Sequence, residues 1–317
     1  MGCGAIDFAG SGVVHMVGGG CSLIAAIIAE PRARRFNADG TVNKKPQQSP
    51  ALQTLGTLIL WCGWYGFNGG SCLYVSNGRS VVAAKAMVTT TLAPSAAACV
   101  LVLLVKLVEN KFDSSYVNNG LLAGLVAITA GCPVVTPEAA VIIGAVAGGV
   151  YFFGSKILLW LRIDDVVDAT PVHLFGGLWG VWATGLFATP NNYQETYPDG
   201  GSERAHRCCG VFYGCGGRLL GIQVIYSLAL LAWVGANAVV LFTIIKYTIG
   251  IRVSLQEEDM GMDRTRHGER SKASEALMRA LGRSNKGAPH GRLSKRSSRR
   301  GSAWWSSHTA DTTGSSY

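Results

Sequence analysis

Two histidines in a repeated setting are the residues of this sequence best placed to do chemistry in apolar surroundings. The segment VHMVGG at 14–19 recurs as VHLFGG at 172–177, so His15 and His173 hold equivalent positions. Neutral imidazoles can hydrogen-bond to each other and still offer a donor or acceptor to a small polar molecule, without the cost of a buried charge. A metal pair is the competing interpretation, but the sequence offers no third ligand at a matching depth, and zinc takes at least three.

An aspartate precedes each copy, Asp7 before the first and Asp168 before the second. Asp7 lies two helical turns before His15, where a carboxylate can cap a helix or support a polar site. Asp164, Asp165 and Asp168 are interpreted as residues at the N-terminus of their helix, where the helix dipole favours negative charge.

The elements that must position these residues are apolar helices. Seven stretches lack Asp, Glu, Lys and Arg, and six are at least as long as the ~20 residues that cross a bilayer; they are 8–29, 46–77, 86–105, 114–137, 139–155, 169–194 and 219–245. The histidine segments lie in the first and the sixth stretch, so their helices cross in opposite directions. This is the mark of an inverted-topology repeat with a shared site near the membrane midplane.

Composition excludes an ordinary soluble enzyme, since 49% of the 317 residues are hydrophobic, 15% are charged and the mean hydropathy is +0.27. The sequence therefore predicts an all-α, polytopic helical membrane protein with seven spans. The net charge of +9 resides entirely in the segment from Arg264 to the end, so it does not indicate nucleic-acid binding. That basic tail is either a solvated extension or a segment that binds anionic lipid headgroups.

Loop charge predicts the orientation. The loop from Pro31 to Pro50 has five Lys and Arg residues against one acid, and the C-terminal tail is also basic, so both are expected in the cytoplasm. The 191–217 loop then lies outside, where its three cysteines, Cys208, Cys209 and Cys215, form a disulfide or remain free thiols. Two domains are predicted: a membrane domain at 1–253 and a cytoplasmic tail at 254–317, mostly disordered after about residue 270.

Three residues of the second stretch are candidates for a polar entrance. Trp64 and Phe67 have helical spacing and Ser71 follows one turn later. An aromatic face beside a hydroxyl can attract a small cation. Taken alone, however, the aromatic residues suit ordinary packing, and the serine suits a hydrogen bond to its own helix.

Four motifs in this order resemble those of the ammonium transporter family (Amt/Mep/Rh), and the resemblance covers about residues 5–269. The motifs are DFAGSGVVH at 7–15, GWYGFNGGS at 63–71, DDVVD at 164–168 followed by Val172 and His173, and GIRV at 250–253 followed by GMDRTRHGE at 261–269. The family fold implied is an inverted-repeat transporter of eleven helices per protomer, of which the seven spans here resemble helices five to eleven.

The resemblance implies roles for single residues. His15 and His173 would be the paired pore histidines, Phe67 would be a gate residue, and Asp7, Trp64 and Ser71 would form or support the outer recruitment site. The implied partners are ammonium or ammonia, membrane lipid and two further copies in a homotrimer, and the implied location is the plasma membrane, with a cytoplasmic C-terminus. No cofactor, metal or nucleic acid is implied.

Two functions of different classes follow. The first is ammonium transport by a protein of which this chain is the C-terminal part, since the family's first four helices have no counterpart here. The second is a nontransporting regulatory or degenerate membrane subunit that joins intact transporters. An enzyme is not expected, because no nucleophile and base occur at useful spacing. Thr265, which lies between Arg264 and Arg266, is a candidate phosphorylation switch; Ser297 and Ser302 are the alternative sites.

Overall fold

The computed structural model describes residues 3–43 and 49–265, where every regular element is a helix apart from one isolated β-bridge between Phe36 and Val42. The predicted all-α class is confirmed. The helices are α1, a π-helical segment Ser11–Met16 continuing as an α-helix Val17–Ala29; α2, Pro50–Gly70; α3, Arg79–Glu109; α4, Ser114–Ile128; α5, Pro137–Trp160; α6, a π-helical segment Thr170–Phe175 continuing as Gly176–Phe187; α7, Pro190–Thr196; α8, Gly201–Arg207; α9, Arg218–Thr248; α10, Leu255–Met260; and α11, Met262–Thr265.

Four of the described helices are long and apolar enough to cross a membrane by length and composition. They are Ser11–Ala29, Arg79–Glu109, Pro137–Trp160 and Arg218–Thr248. The other three predicted spans contain α2, α4 and α6, which fall short of that length or hydropathy. Each of the seven charge-free stretches nevertheless contains a helix or lies within one.

Local sequence explains where the helices begin. A Ser, Thr or Asp side chain accepts a backbone N–H of the first turn at the start of α2, α4, α5 and α7. Proline is the first residue of α2, α5 and α7, where its missing N–H costs nothing.

Close packing of α3, α4 and α5 centres on Pro94, inside α3. A proline there removes the hydrogen bond to the carbonyl four residues earlier. The Trp61 indole N–H donates to that carbonyl, on Thr90, at 3.3 Å, which matches the need in a membrane to satisfy every freed backbone group. Gly124 and Gly144 face the α3 backbone at this level, where a Cβ would collide with it.

Contacts between loops define the two ends of the bundle. We call one the cysteine end, formed by Cys3 and residues 188–217, and the other the arginine end, formed by residues 30–43, 161–168 and 249–260. α1 begins at the cysteine end, whereas α6 begins at the arginine end, and the π segments of the two helices pack against each other. The two histidine helices are therefore antiparallel, as the inverted repeat predicts.

The chain divides into two compact units, 1–260 and 261–317. In the second unit the structure describes α11, where the Thr265 hydroxyl donates to the Gly261 carbonyl at 3.1 Å. Ser297, Ser302 and the segment predicted to be disordered after residue 270 lie outside the described residues.

Candidate functional site

The structure brings the two predicted histidines into direct contact. Nδ1 of His15 and Nδ1 of His173 are 3.2 Å apart, and the rings stack with centroids 5.2 Å apart and planes 14° apart. One nitrogen must donate and the other accept, so at least one ring presents an unprotonated Nδ1. His15 is buried, and its Nε2 has no hydrogen-bond partner among the described residues. The pair therefore retains one polar atom for a guest molecule.

Each histidine lies in a π-helical segment, His15 in Ser11–Met16 and His173 in Thr170–Phe175. A π turn inserts an extra residue into an α-helix and is frequently found at functional sites. Here the segments lie opposite each other. The repeated sequence thus encodes a repeated local backbone as well as a repeated side chain.

An aspartate holds the start of each π segment. The Asp7 carboxylate accepts the backbone N–H groups of Gly12 and Val13 at 3.0–3.1 Å, and also the Tyr226 hydroxyl at 2.7 Å. At the other segment, Asp165 accepts two backbone N–H groups, from Ala169 at 3.1 Å and from Thr170 at 2.6 Å. Both carboxylates therefore act as caps that fix where the π turn begins.

This geometry corrects the pairing of acids made from the sequence. The counterpart of Asp7 is Asp165, which lies eight residues before its histidine just as Asp7 does, and not Asp168. Asp168 has φ +55° and accepts hydroxyls from Tyr151 and Ser155 of α5, at 2.8 and 3.1 Å. It holds the loop before α6 against α5, whereas Asp165 caps the helix.

Trp64 and Phe67 lie beside His15. The Trp64 ring stacks on the imidazole, with centroids 5.2 Å apart and planes 13° apart, and the Phe67 ring lies 5.8 Å away. The buried Trp64 indole donates to the Thr129 hydroxyl at 2.9 Å, which fixes the ring plane. Phe67 is 39% exposed. Thr129 and Tyr226 were not expected from the sequence, because their partners are 65 and 219 residues away and no local pattern marks such contacts.

Ser71 ends α2 with its hydroxyl donated to the Phe67 carbonyl at 2.7 Å. This is the hydrogen bond to its own helix that the sequence left open as an alternative. The Ser71 hydroxyl contacts Phe67, whereas the Asp7 carboxylate contacts the π segment of α1. The residues proposed for recruitment therefore form two separate groups.

The face of the α1 π segment beside the histidine pair is exposed in the described structure. Val13 and Val14 precede His15 and are 54% and 46% exposed, although they belong to the same π segment as the buried imidazole. Residues 3–43 and 49–265 bring no third His, Cys, Asp or Glu into a group that could hold a metal ion. The π segment thus buries His15 and exposes the two valines before it.

Two disulfides lie at the cysteine end. Cys3 pairs with Cys208, and Cys209 pairs with Cys215. The sequence left open whether the three loop cysteines form a disulfide, and it gave no indication that Cys3 takes part.

At the arginine end, the buried Asp164 carboxylate pairs with Arg32 at 2.7 Å and with Arg35 at 3.1 Å. Burial alone would raise the pKa of this carboxyl, but the hydrogen bonds from Arg32 and the charges of both arginines outweigh it and lower the pKa. Because the folded value lies below the unfolded value of about 3.9, the stabilisation is present above about pH 4 and is lost as the pH falls through the folded pKa.

Known proteins similar to this chain share one family description. A profile of the Ammonium Transporter Family matches residues 1–272. Ammonium transporter 1 member 1 of Arabidopsis thaliana is 41% identical over 273 residues, which cover 84% of this chain and 54% of that protein, and ammonium transporter Amt2 of Archaeoglobus fulgidus is 40% identical over 269 residues, with 84% and 55% covered. The chain thus spans about half the length of these relatives.

Solved structures are similar over the same part of the chain. A sensor Amt protein superposes with a TM-score of 0.72 at 32% identity, covering 83% of this chain and 60% of its own. Mep2 of Candida albicans superposes with a TM-score of 0.69 at 30% identity, covering 79% and 52%.

Proposed function

We propose that this chain, which belongs to the ammonium transporter family, supplies the twin-histidine wall of a pore that recruits ammonium and conducts ammonia across a membrane. The observation that carries the proposal is the 3.2 Å contact between His15 and His173 on two antiparallel π segments. Ammonium transport by the named relatives gives the substrate.

Recruitment begins at the aromatic residues. Phe67 and Trp64 lie beside His15, and a cation near such a ring face gains about 0.5 to 2 kcal/mol, depending on desolvation. Beyond the rings the wall is apolar, so a charged guest becomes costly and ammonium gives up its proton more easily. Ammonia then passes along the histidine pair and exchanges hydrogen bonds with it. The contact between the two Nδ1 atoms also provides a route for a proton from ring to ring. The net charge moved per ammonium taken up distinguishes transport of ammonia alone from transport of ammonia together with a proton.

We place Asp7 and Ser71 in supporting roles. Asp7 fixes the π segment that carries His15, and Ser71 closes the last turn of α2 behind Phe67. The cysteine end is the outer, recruiting side in this proposal, because the arginine-rich loop at the other end favours the cytoplasm. A plasma-membrane homotrimer with a cytoplasmic C-terminus is the assembly proposed, and native mass spectrometry of the detergent-solubilised protein measures its copy number.

The test uses a chimera in which this chain replaces the matching 273 residues of the Arabidopsis relative. In yeast without its own ammonium transporters, the chimera should support growth on low ammonium. His15→Ala and His173→Ala should each abolish growth at unchanged membrane abundance, because each removes one partner of the contact. His206→Ala, an exposed histidine of α8, is the matched control and should grow normally. Normal growth of both pore variants would refute the proposal.

The chain by itself should conduct poorly, because the π segment that carries His15 exposes Val13 and Val14 instead of burying them in a closed bundle. Uptake by purified chain in liposomes should therefore stay at the background of empty liposomes. If the chain instead lowers uptake when co-expressed with an intact relative, its function is that of the nontransporting regulatory subunit. Robust uptake by the chain alone would contradict the reasoning from this exposed helix face.

A further inference from the structure

We propose that the Cys3–Cys208 disulfide is a redox-sensitive latch on the turn held by Asp7, so that a thiol reductant at the cysteine end loosens the π segment of His15 and lowers conduction. The effect on conduction rests on the proposed function. The effect on the turn does not, so the two can fail separately.

The segment before α1 contains no helix and depends on a few fixed points. The disulfide joins Cys3 to Cys208, 205 residues away. The Gln223 side chain of α9 makes two hydrogen bonds to the Ile6 backbone: its Oε1 accepts the Ile6 N–H at 2.9 Å, and its Nε2 donates to the Ile6 carbonyl at 2.6 Å. The backbone N–H of Phe8 then donates to Ala130 at 2.9 Å. Of these attachments, the disulfide is the covalent one.

Asp7 lies between the last two of these points. Its carboxylate must stay within 3.0–3.1 Å of the Gly12 and Val13 amides to cap the π segment. Gly4 and Ala5, which connect Cys3 to Ile6, are exposed, so packing of these two residues does not hold the segment in place once the disulfide is reduced. Loss of the disulfide therefore leaves the burial of the Ile6 side chain and the hydrogen bonds at residues 6–9 to resist fraying of the segment toward Asp7.

The other side of the latch is firmly anchored. Cys208 is buried, and two residues further along the Gly210 N–H donates to the Ala188 carbonyl after α6 at 2.7 Å. The second disulfide, Cys209–Cys215, closes a ring of seven residues within this loop and does not touch the segment before α1. The two disulfides thus have separable effects, and the second is a natural control.

The chemical step is thiol–disulfide exchange with an external dithiol. One reagent thiolate attacks Sγ of the half-buried Cys3, the S–S bond breaks, and Cys208 leaves as a thiolate that takes up a proton. The second reagent thiol displaces Cys3 from the mixed disulfide. The protein gains two thiols, and the reagent is oxidised to a cyclic disulfide.

The experiment measures hydrogen exchange of the full chain in membranes, with and without dithiothreitol, after thiol labelling has identified the oxidised cysteines. The Gly12 and Val13 amides should exchange at least about tenfold faster when reduced, a change of about 1.4 kcal/mol in local opening. The Ala169 and Thr170 amides, which Asp165 holds in the same way at the arginine end, are the internal reference and should not change.

Two paired variants complete the test. Cys3→Ser with Cys208→Ser should exchange fast at residues 12–13 without reductant and should not respond to it, whereas Cys209→Ser with Cys215→Ser should behave like the parent chain. Reoxidation should restore slow exchange in the parent, which excludes irreversible unfolding. Free Cys3 and Cys208 before reduction, or unchanged exchange at residues 12–13 after it, would overturn the latch. Faster exchange with unchanged uptake by the chimera would overturn its control of conduction, whereas an inactive oxidised chimera would count against the proposed function alone.

Discussion

Adjacent glycines in the repeated segment should differ sharply when each is replaced by alanine. A Cβ on Gly19 would collide with the backbone of Leu174, and a Cβ on Gly177 would lie 2.6 Å from the Ser11 carbonyl oxygen. By contrast, a Cβ on Gly18 meets nothing within 4 Å. Gly19 and Gly177 are equivalent in the repeat, so each half of it packs a glycine against the π segment of the other half.

The size of the destabilisation depends on which atoms must move to make room for the new methyl group. Overpacking costs about 1 to 3 kcal/mol, and because backbone atoms obstruct the new methyl group, no change of rotamer relieves it. The higher helix propensity of alanine stabilises the folded state by about 1 kcal/mol relative to glycine at each of these positions. Gly18→Ala should therefore be neutral or stabilising, whereas Gly19→Ala and Gly177→Ala force the two segments apart. A separation of a few tenths of an ångström carries the histidine nitrogens from 3.2 Å beyond hydrogen-bonding range.

The assay is ammonium-dependent uptake by the chimera, read together with its thermal unfolding temperature in detergent. Gly19→Ala and Gly177→Ala should each lose most uptake while the protein still reaches the membrane, and Gly18→Ala should retain it. Gly176→Ala is a second control, since its Cβ would make an ordinary contact of 3.5 Å with Ala123. Uptake by Gly19→Ala equal to that by Gly18→Ala would show that close approach of the backbones does not position the histidines.

Three further outcomes are expected. Trp64→Phe keeps a ring beside His15 but loses the hydrogen bond to Thr129, so its uptake should fall less than that of Trp64→Ala, and equal losses would contradict the role of the ring. Asp164→Asn should lower the unfolding temperature at pH 7, since removing one partner of a buried ion pair costs about 3 to 5 kcal/mol; the difference from the parent chain should begin to shrink below about pH 4 and vanish once the pH is below the lowered pKa of the folded carboxyl, and a constant difference would exclude the linkage. Thr265→Asp should reduce uptake by the chimera while Thr265→Ala preserves it, because a phosphate adds about −1.5 to −2 charges; equal uptake at equal surface abundance would reject the switch.

Much of the site could be predicted because its information is local or repeated. His15 and His173 were found from a six-residue repeat, and the spacing of Trp64 and Phe67 placed both rings on one helix face. The antiparallel course of α1 and α6 followed from counting apolar stretches. These inferences require only helical periodicity and the thickness of a bilayer.

What the sequence could not reveal depends on contacts between distant residues. Two of these contacts, the hydrogen bond from Tyr226 to Asp7 and those between Gln223 and Ile6, join residues more than two hundred positions apart. The π form of the histidine segments has no recognisable sequence pattern. The mistaken pairing of Asp7 with Asp168 has a specific cause. Two aspartates three residues apart, Asp165 and Asp168, both suit a helix start; the eight-residue spacing to the histidine that Asp165 shares with Asp7 was the sequence signal that distinguishes them, and the hydrogen bonds show Asp165 as the cap.

The inverted repeat is symmetric at the histidines and asymmetric in what supports them. Asp7 has a second partner in Tyr226 and a nearby disulfide, whereas Asp165 follows Asp164, which two arginines anchor. A reductant acts on the support of Asp7 alone, since both disulfides of the described residues lie at the cysteine end, whereas Asp165 follows the ion pairs of Asp164. Under the latch proposal, reduction therefore displaces His15 and leaves His173 in place, so the contribution of the first ring to conduction is separable without mutating either.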